Sequence, residues 1–327
     1  MKTVSSTPMS RIGDDPIDPD IRRFVDAVNA AYAEFAGQTG QDHAARRAVA
    51  ERVREKWRSG GPEMAETREM EVNGLRVRAH RPSSQATGPA MLYIHGGGWT
   101  LFSIDTHDRL MREYAARAGI VVIGVDYSLS PESKFPIALE EIVATIDWME
   151  AEAESLGIDP GRILVGGDSA GANLAVAACI VRRDRGRSRL AGMVLNYGAF
   201  AAEPTDSYDR FDGDLFSLER AEMDAFWDNY VTRPEDLANP LVAPLHGDLH
   251  DLPPAFLAIA ECDILADCNL EMARKLAAAG VETEAKVYVG ATHSFLEAMS
   301  IAPLASRALD DQAAWIAQTL ARDDGRP

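Results

Sequence analysis

The chain of 327 residues is 46% hydrophobic and 26% charged, the balance of a soluble folded protein with a large core rather than a disordered one. Thirty-three basic against 51 acidic residues leave a formal charge of −18 at pH 7, which argues against nucleic acid or an anionic membrane surface as the main partner. The opening Met1-Lys2-Thr3-Val4-Ser5-Ser6 has no apolar signal-peptide core, no run reaches the roughly 18 apolar residues of a membrane helix, and Cys179, Cys262 and Cys268 lack metal-site spacing, so a cytoplasmic protein without membrane insertion or metal is expected.

The first dozen residues read as loose. Asp18 then offers an N-cap and Pro19 a first-turn proline ahead of Ile21, Phe24, Val25, Val28, Tyr32 and Phe35, the spacing of an amphipathic helix. A second helix is predicted over about 42–57, with Ala45, Val49, Val53 and Trp57 on one face, and Ser59-Gly60-Gly61-Pro62 stops it. Two such helices gain little by packing only on each other, so they are expected to lie over something larger. Residues 1–65 are therefore read as a helical cap segment, with a structural arm or oligomer contact as the competing reading.

Residues 69–80 alternate around Asn73-Gly74, a hairpin signal, and 82–89 form a polar loop. An apolar strand at 90–94 runs into His95-Gly96-Gly97-Gly98-Trp99. A helix at about 106–118 and a fully buried strand at 120–125 follow, then Asp126-Tyr127, a proline-marked loop and a helix at 137–156 closed by Gly157. Next come a strand at 162–165, the turn Gly166-Gly167-Asp168-Ser169-Ala170-Gly171, an alanine-rich helix and a strand at 193–196. Between about 203 and 239 the alternation fails in an acidic, aromatic stretch that reads as an inserted cap segment. The rhythm resumes with a strand at 255–260, a helix at 267–279, a strand at 285–289 and a helix at 305–320. This pattern predicts an α/β fold, with a mostly parallel central sheet flanked by helices on both faces, in a catalytic domain spanning 66–327.

Ser169 stands between a buried strand and a helix, where a sharp turn projects a serine hydroxyl beyond the carboxyl edge of a sheet. With 25 glycines and 18 serines, about 0.1 chance G-x-S-x-G matches are expected, so the motif alone is weak and its setting carries the weight. A serine hydroxyl needs a base, and the base an orienting acid, both placed after strands whose carboxyl ends meet at one crevice. His293 follows the last strand by a short loop, and Asp263 follows the strand before it. Asp267 and Glu261 are rivals for the acid; Asp267 is expected to cap a helix and Glu261 to be structural. An oxyanion requires preplaced backbone donors, which Ala170 and the run Gly96, Gly97 and Gly98 can offer. His95 either supports that glycine loop or is an ordinary satisfied histidine at a strand end. Trp99, Phe102, Phe211, Phe216 and Trp227 are read as packing.

His95-Gly96-Gly97-Gly98-Trp99, Gly167-Asp168-Ser169-Ala170-Gly171, Asp263 and His293 together resemble the hormone-sensitive-lipase-like esterases of the α/β-hydrolase superfamily, as do Asp126-Tyr127, Pro131-Glu132 and Phe135-Pro136. The resemblance spans about 17–320. It implies an α/β-hydrolase fold with a helical cap and hydrolysis of short- to medium-chain carboxylic esters of small molecules, with no metal or organic cofactor; it also allows a homodimer. Departures are Ser128 and Ser130 where the family often has arginine and alanine, Ile264 where it has proline, and Ser294 where it has glycine. Ser128 puts a supporting ion pair in doubt, while Ile264 and Ser294 alter the loops around the base. The same triad would serve an amidase, a lactonase or a carbamate hydrolase. A ligand receptor on a dead hydrolase scaffold is disfavoured by His293, and a dinucleotide-binding oxidoreductase by the lack of G-x-G-x-x-G after a strand.

Overall fold

The structure is a computed structural model that describes residues 15–322 except 39, 41, 85 and 86. The expected looseness of the first dozen residues, and part of the 82–89 loop, fall outside that range. The elements run α1 (Pro19–Ala33), α2 (His43–Arg58), β1 (Glu66–Val72), β2 (Leu75–Arg81), β3 (Gly88–Ile94), α3 (Asp108–Ala118), β4 (Val121–Val125), α4 (Ile137–Ala151) and α5 (Ala153–Leu156). They continue with β5 (Ile158–Asp168), α6 (Ala170–Asp184), β6 (Gly192–Asn196), α7 (Asp206–Phe211), α8 (Arg220–Tyr230), β7 (Ala255–Cys262), α9 (Ala266–Ala278), β8 (Thr283–Thr292) and α10 (Pro303–Ala321).

Eight strands form one sheet in the order β1-β2-β4-β3-β5-β6-β7-β8, antiparallel at β1/β2 and β2/β4 and parallel elsewhere. The inner strands β3, β4, β6 and β7 are apolar and buried nearly throughout because both faces are covered, whereas the edge strands β1 and β8 carry exposed polar residues. On β3, Ala90, Leu92 and Ile94 enter the core beneath α4, α6 and α9, while Met91 and Tyr93 enter the core beneath α3 and α10. α6 is an alanine helix whose residues from Ala170 to Ile180 are all buried, small side chains letting it lie close on the sheet.

Asp18 caps α1 by accepting from the N–H groups of Asp20 and Ile21, with Pro19 in the first turn as its sequence suggested. α1 and α2 meet through an edge-to-face pair, Phe24 and Trp57, with centroids 4.7 Å apart. Both then join the core on the α3/α10 side, so they do cover something larger than each other. Burying two aromatic side chains of this size contributes about 1.5–3 kcal/mol each. The 203–239 stretch holds α7, α8 and two short 3-10 turns and no strand. Among the described residues no helix is long and apolar enough to cross a membrane.

Two expectations change. The helix predicted over 137–156 is divided at Glu152, whose ψ of 18° leaves the helical region, and Gly157 closes α5 in the left-handed conformation. Asp267 does not cap α9; its carboxylate accepts from the Ser207 N–H (2.7 Å) and pairs with Arg210 (3.0 Å), tying α7 to α9.

Candidate active site

β5 ends at Asp168 and α6 starts at Ala170, so the turn between them consists of Ser169 alone, at φ 52° and ψ −116°. Such a backbone is costly for a residue with a Cβ, and it persists because the surroundings determine it fully: Ser169 N–H donates to Asn196 O (2.9 Å), and its carbonyl accepts from Asn173 and Ala199. A Cβ at Gly167 or Gly171 would strike the Ile94 carbonyl at the end of β3, so the flanking glycines allow the close approach that packs the turn against its neighbouring strand.

The loops after β7 and β8 bring the other two candidates to this turn. His293 Nε2 lies 3.0 Å from Ser169 Oγ and His293 Nδ1 2.7 Å from Asp263 Oδ2, while Asp263 Oδ1 accepts from the Leu265 N–H. All three side chains are buried. An ionised carboxylate at Nδ1 places the imidazole proton there and leaves the Nε2 lone pair facing the hydroxyl. Burial pulls the His293 pKa down, but the Asp263 carboxylate outweighs it and the net shift is upward. Glu261 accepts from the Gly290 N–H (2.9 Å), a structural contact, so of the acidic rivals Asp263 alone reaches the imidazole.

Ser169 and His293 open onto a cavity of about 380 Å³ walled by α1, α2, α8 and the glycine loop. Gly97 and Gly98 line it with φ of 101° and 58°. Gly96 does not: it is turned toward Asp168, with which a Cβ would collide, and its carbonyl is bonded by His95 Nδ1 at 2.8 Å. His95 thus supports the loop; its ring stacks on Tyr127, whose hydroxyl donates to the His95 carbonyl. Ala170 is fully buried at the start of α6, where the first N–H groups of a helix lack intrahelical acceptors. Trp99 and Trp227 pack on Tyr230, and Phe211 on Phe216, whereas Phe102 lines the cavity.

Features absent from the sequence reading surround this arrangement. Asp168, beside Ser169, is buried and accepts from the Tyr93 hydroxyl (2.8 Å), with His107 Nε2 at 3.3 Å. From α2 and α8 the cavity is lined by Arg54, Glu222 and Phe226, which carry no motif. The sequence signal for them was only their place on amphipathic helices flanking the strands.

The departures from the family pattern also have local accounts. Ser128 donates its N–H and hydroxyl to the two oxygens of Glu141, at 2.7 and 2.6 Å, so that carboxylate is satisfied without an arginine there. Ser294 has φ 59°, the left-handed conformation that explains why glycine suits the position. Ile264 is fully buried and its carbonyl accepts from Ser207 Oγ.

Residues 91–297 match the alpha/beta hydrolase fold family. The chain is 37% identical over 241 residues to an acetyl esterase of Salmonella choleraesuis (strain SC-B67), covering 73% of this chain and 74% of that one. Among solved structures it resembles an esterase of Pyrobaculum calidifontis (TM-score 0.86, 32% identity, 94% of this chain and 100% of that one). It also resembles a thermostable carboxylesterase cloned from a metagenomic library (TM-score 0.83, 35% identity, 87% of this chain and 100% of that one). The chain belongs to the alpha/beta hydrolase fold family, within its hormone-sensitive-lipase-like esterase branch.

Proposed function

We propose that the chain is a serine carboxylesterase that hydrolyses short- to medium-chain carboxylic esters through an acyl-enzyme. The observation that carries this reading is the unbroken line from Asp263 through His293 to the Ser169 hydroxyl, ending at the cavity. Its volume of about 380 Å³ is at the small end of small-molecule sites, which favours a compact ester.

In this reading Ser169 Oγ attacks the acyl carbon and passes its proton to His293 Nε2. The oxyanion is received by N–H groups of Gly97, Gly98 and Ala170, each worth about 3–4 kcal/mol of transition-state stabilisation, while Gly96 holds the loop in shape. The C–O bond to the alcohol then breaks and the imidazolium returns the proton to the leaving oxygen. Water, deprotonated by the same Nε2, attacks the acyl-enzyme; the acyl C–Oγ bond breaks, the imidazolium returns the proton to Ser169 Oγ, and the acid is freed. Asp263 keeps one tautomer and stabilises the imidazolium throughout.

The test is a p-nitrophenyl ester series from acetate to decanoate, with an anilide and a lactone of matched acyl length as controls. Highest kcat/KM on the shorter esters supports the proposal. Faster cleavage of the anilide or lactone would reassign the substrate class, and the absence of turnover on every compound would refute the reading.

A further inference from the structure

Cap helix α8 projects Glu222 into the cavity that also holds Ser169 and His293. Its side chain stays open to the cavity solvent, yet no hydrogen bond or ion pair engages it among the described residues. Arg54 faces the same space but is committed elsewhere: its Nε lies 2.8 Å from Glu297 Oε2, and its guanidinium sits over the Phe102 ring at 4.8 Å. With Arg54 neutralised by Glu297, the carboxylates of Asp214, Glu219 and Glu222 along the wall are faced, among the described lining residues, by Arg46 and the His293 imidazole. Phe226 supplies aromatic surface to the same wall, and ring faces attract cations as carboxylates do, while Tyr32 and Phe35 already carry Arg54 and Arg52 over a ring face.

We propose that Glu222 is a specificity-determining residue that holds an ammonium group on the ester substrate, so that this esterase prefers cationic esters to neutral ones of the same shape. The proposal rests on the esterase reading above and adds a substrate class to it. A charged hydrogen bond from the substrate nitrogen supplies the donor Glu222 lacks, and its surroundings strengthen the attraction relative to water.

The experiment compares isosteric pairs on both arms of the ester. On the alcohol arm the pair is 2-(dimethylamino)ethyl acetate and 3-methylbutyl acetate. On the acyl arm it is ethyl 4-(dimethylamino)butanoate and ethyl 5-methylhexanoate, with monoethyl succinate as the anionic probe. The expected result is a cationic-to-neutral kcat/KM ratio above one on at least one arm, with the anionic ester poorest. Glu222→Gln is expected to cut that ratio roughly tenfold, and Glu219→Gln, at the rim, to change it less. The neutral ester is the internal reference for folding, and its turnover tests the esterase reading separately. A wild-type ratio at or below one on both arms, or a ratio unmoved by Glu222→Gln, would overturn the proposal.

Discussion

Arg54 on α2 reaches Glu297, four positions beyond His293, with Nε 2.8 Å from Oε2 and side chains only 7% and 10% exposed. The contact ties α2 to the turn that follows the candidate base. Removing one member leaves the other buried without its counter-charge, which costs about 3–5 kcal/mol, whereas removing both can be nearly neutral. Arg54→Met should therefore lower the urea midpoint strongly, and Arg54→Met with Glu297→Leu should recover much of the loss. Additive losses would mean that the two residues act independently.

Ser169→Ala should reduce hydrolysis of p-nitrophenyl acetate by at least about four orders of magnitude. Its melting temperature should stay near that of the wild type, since the change removes one hydroxyl from a turn held by backbone bonds. His293→Ala should be comparably severe and the double variant little worse, because the two act as a unit. Multiplying losses would contradict the shared role.

The upward shift of His293 fixes the direction of its pH dependence. Burial lowers its pKa, the Asp263 carboxylate more than compensates, and the group titrates above the ordinary value of 6.5. Protonated imidazole cannot accept the serine proton, so kcat/KM should fall as pH drops through that raised value. Stability moves the other way. A folded pKa above the unfolded one contributes stability that is complete below about 6.5 and lost as pH rises through the folded value. Asp263→Asn should shift the kinetic inflection to lower pH while slowing the reaction; an inflection that does not move would detach it from this pair.

Tyr93→Phe tests the buried carboxylate beside the serine. It removes the hydroxyl that donates to Asp168 Oδ1 at 2.8 Å and leaves that oxygen buried without this donor, a loss of about 1–3 kcal/mol in denaturant titration. An unchanged midpoint would show that Asp168 finds another donor.

The fold and the arrangement of the candidate triad were legible because each was announced locally. Buried strands alternate with helices, Ser169 sits in a strand-turn-helix, and Asp263 and His293 stand just beyond two late strands whose parallel pairing carries both to the same edge. What stayed hidden depends on side-chain direction or on pairs far apart in the chain. Three successive glycines look alike on paper, yet Gly96 turns to Asp168 while Gly97 and Gly98 face the cavity. Asp267 had the composition of a cap, but the inserted segment supplied the Ser207 N–H and Arg210 as partners from outside its helix. Arg54, Glu222 and Glu297 belong to α2, α8 and the turn after β8, elements far apart in the chain.

Ser294 offers a stabilising change next to the candidate base. At φ 59° and ψ 15° it holds a left-handed conformation in which the Cβ of an L-residue crowds the backbone, at a cost of about 1–2 kcal/mol, and no side-chain hydrogen bond compensates among the described residues. Glycine removes the crowding but adds about 0.5–1 kcal/mol of unfolded-state entropy to be lost on folding. Ser294→Gly should therefore stabilise by up to about 1 kcal/mol, raising the melting temperature by about 1–3 °C in a chain of this size. A drop in melting temperature would instead mean that the hydroxyl, which faces the cavity beside His293, makes a compensating contact worth more than the strain it sits in.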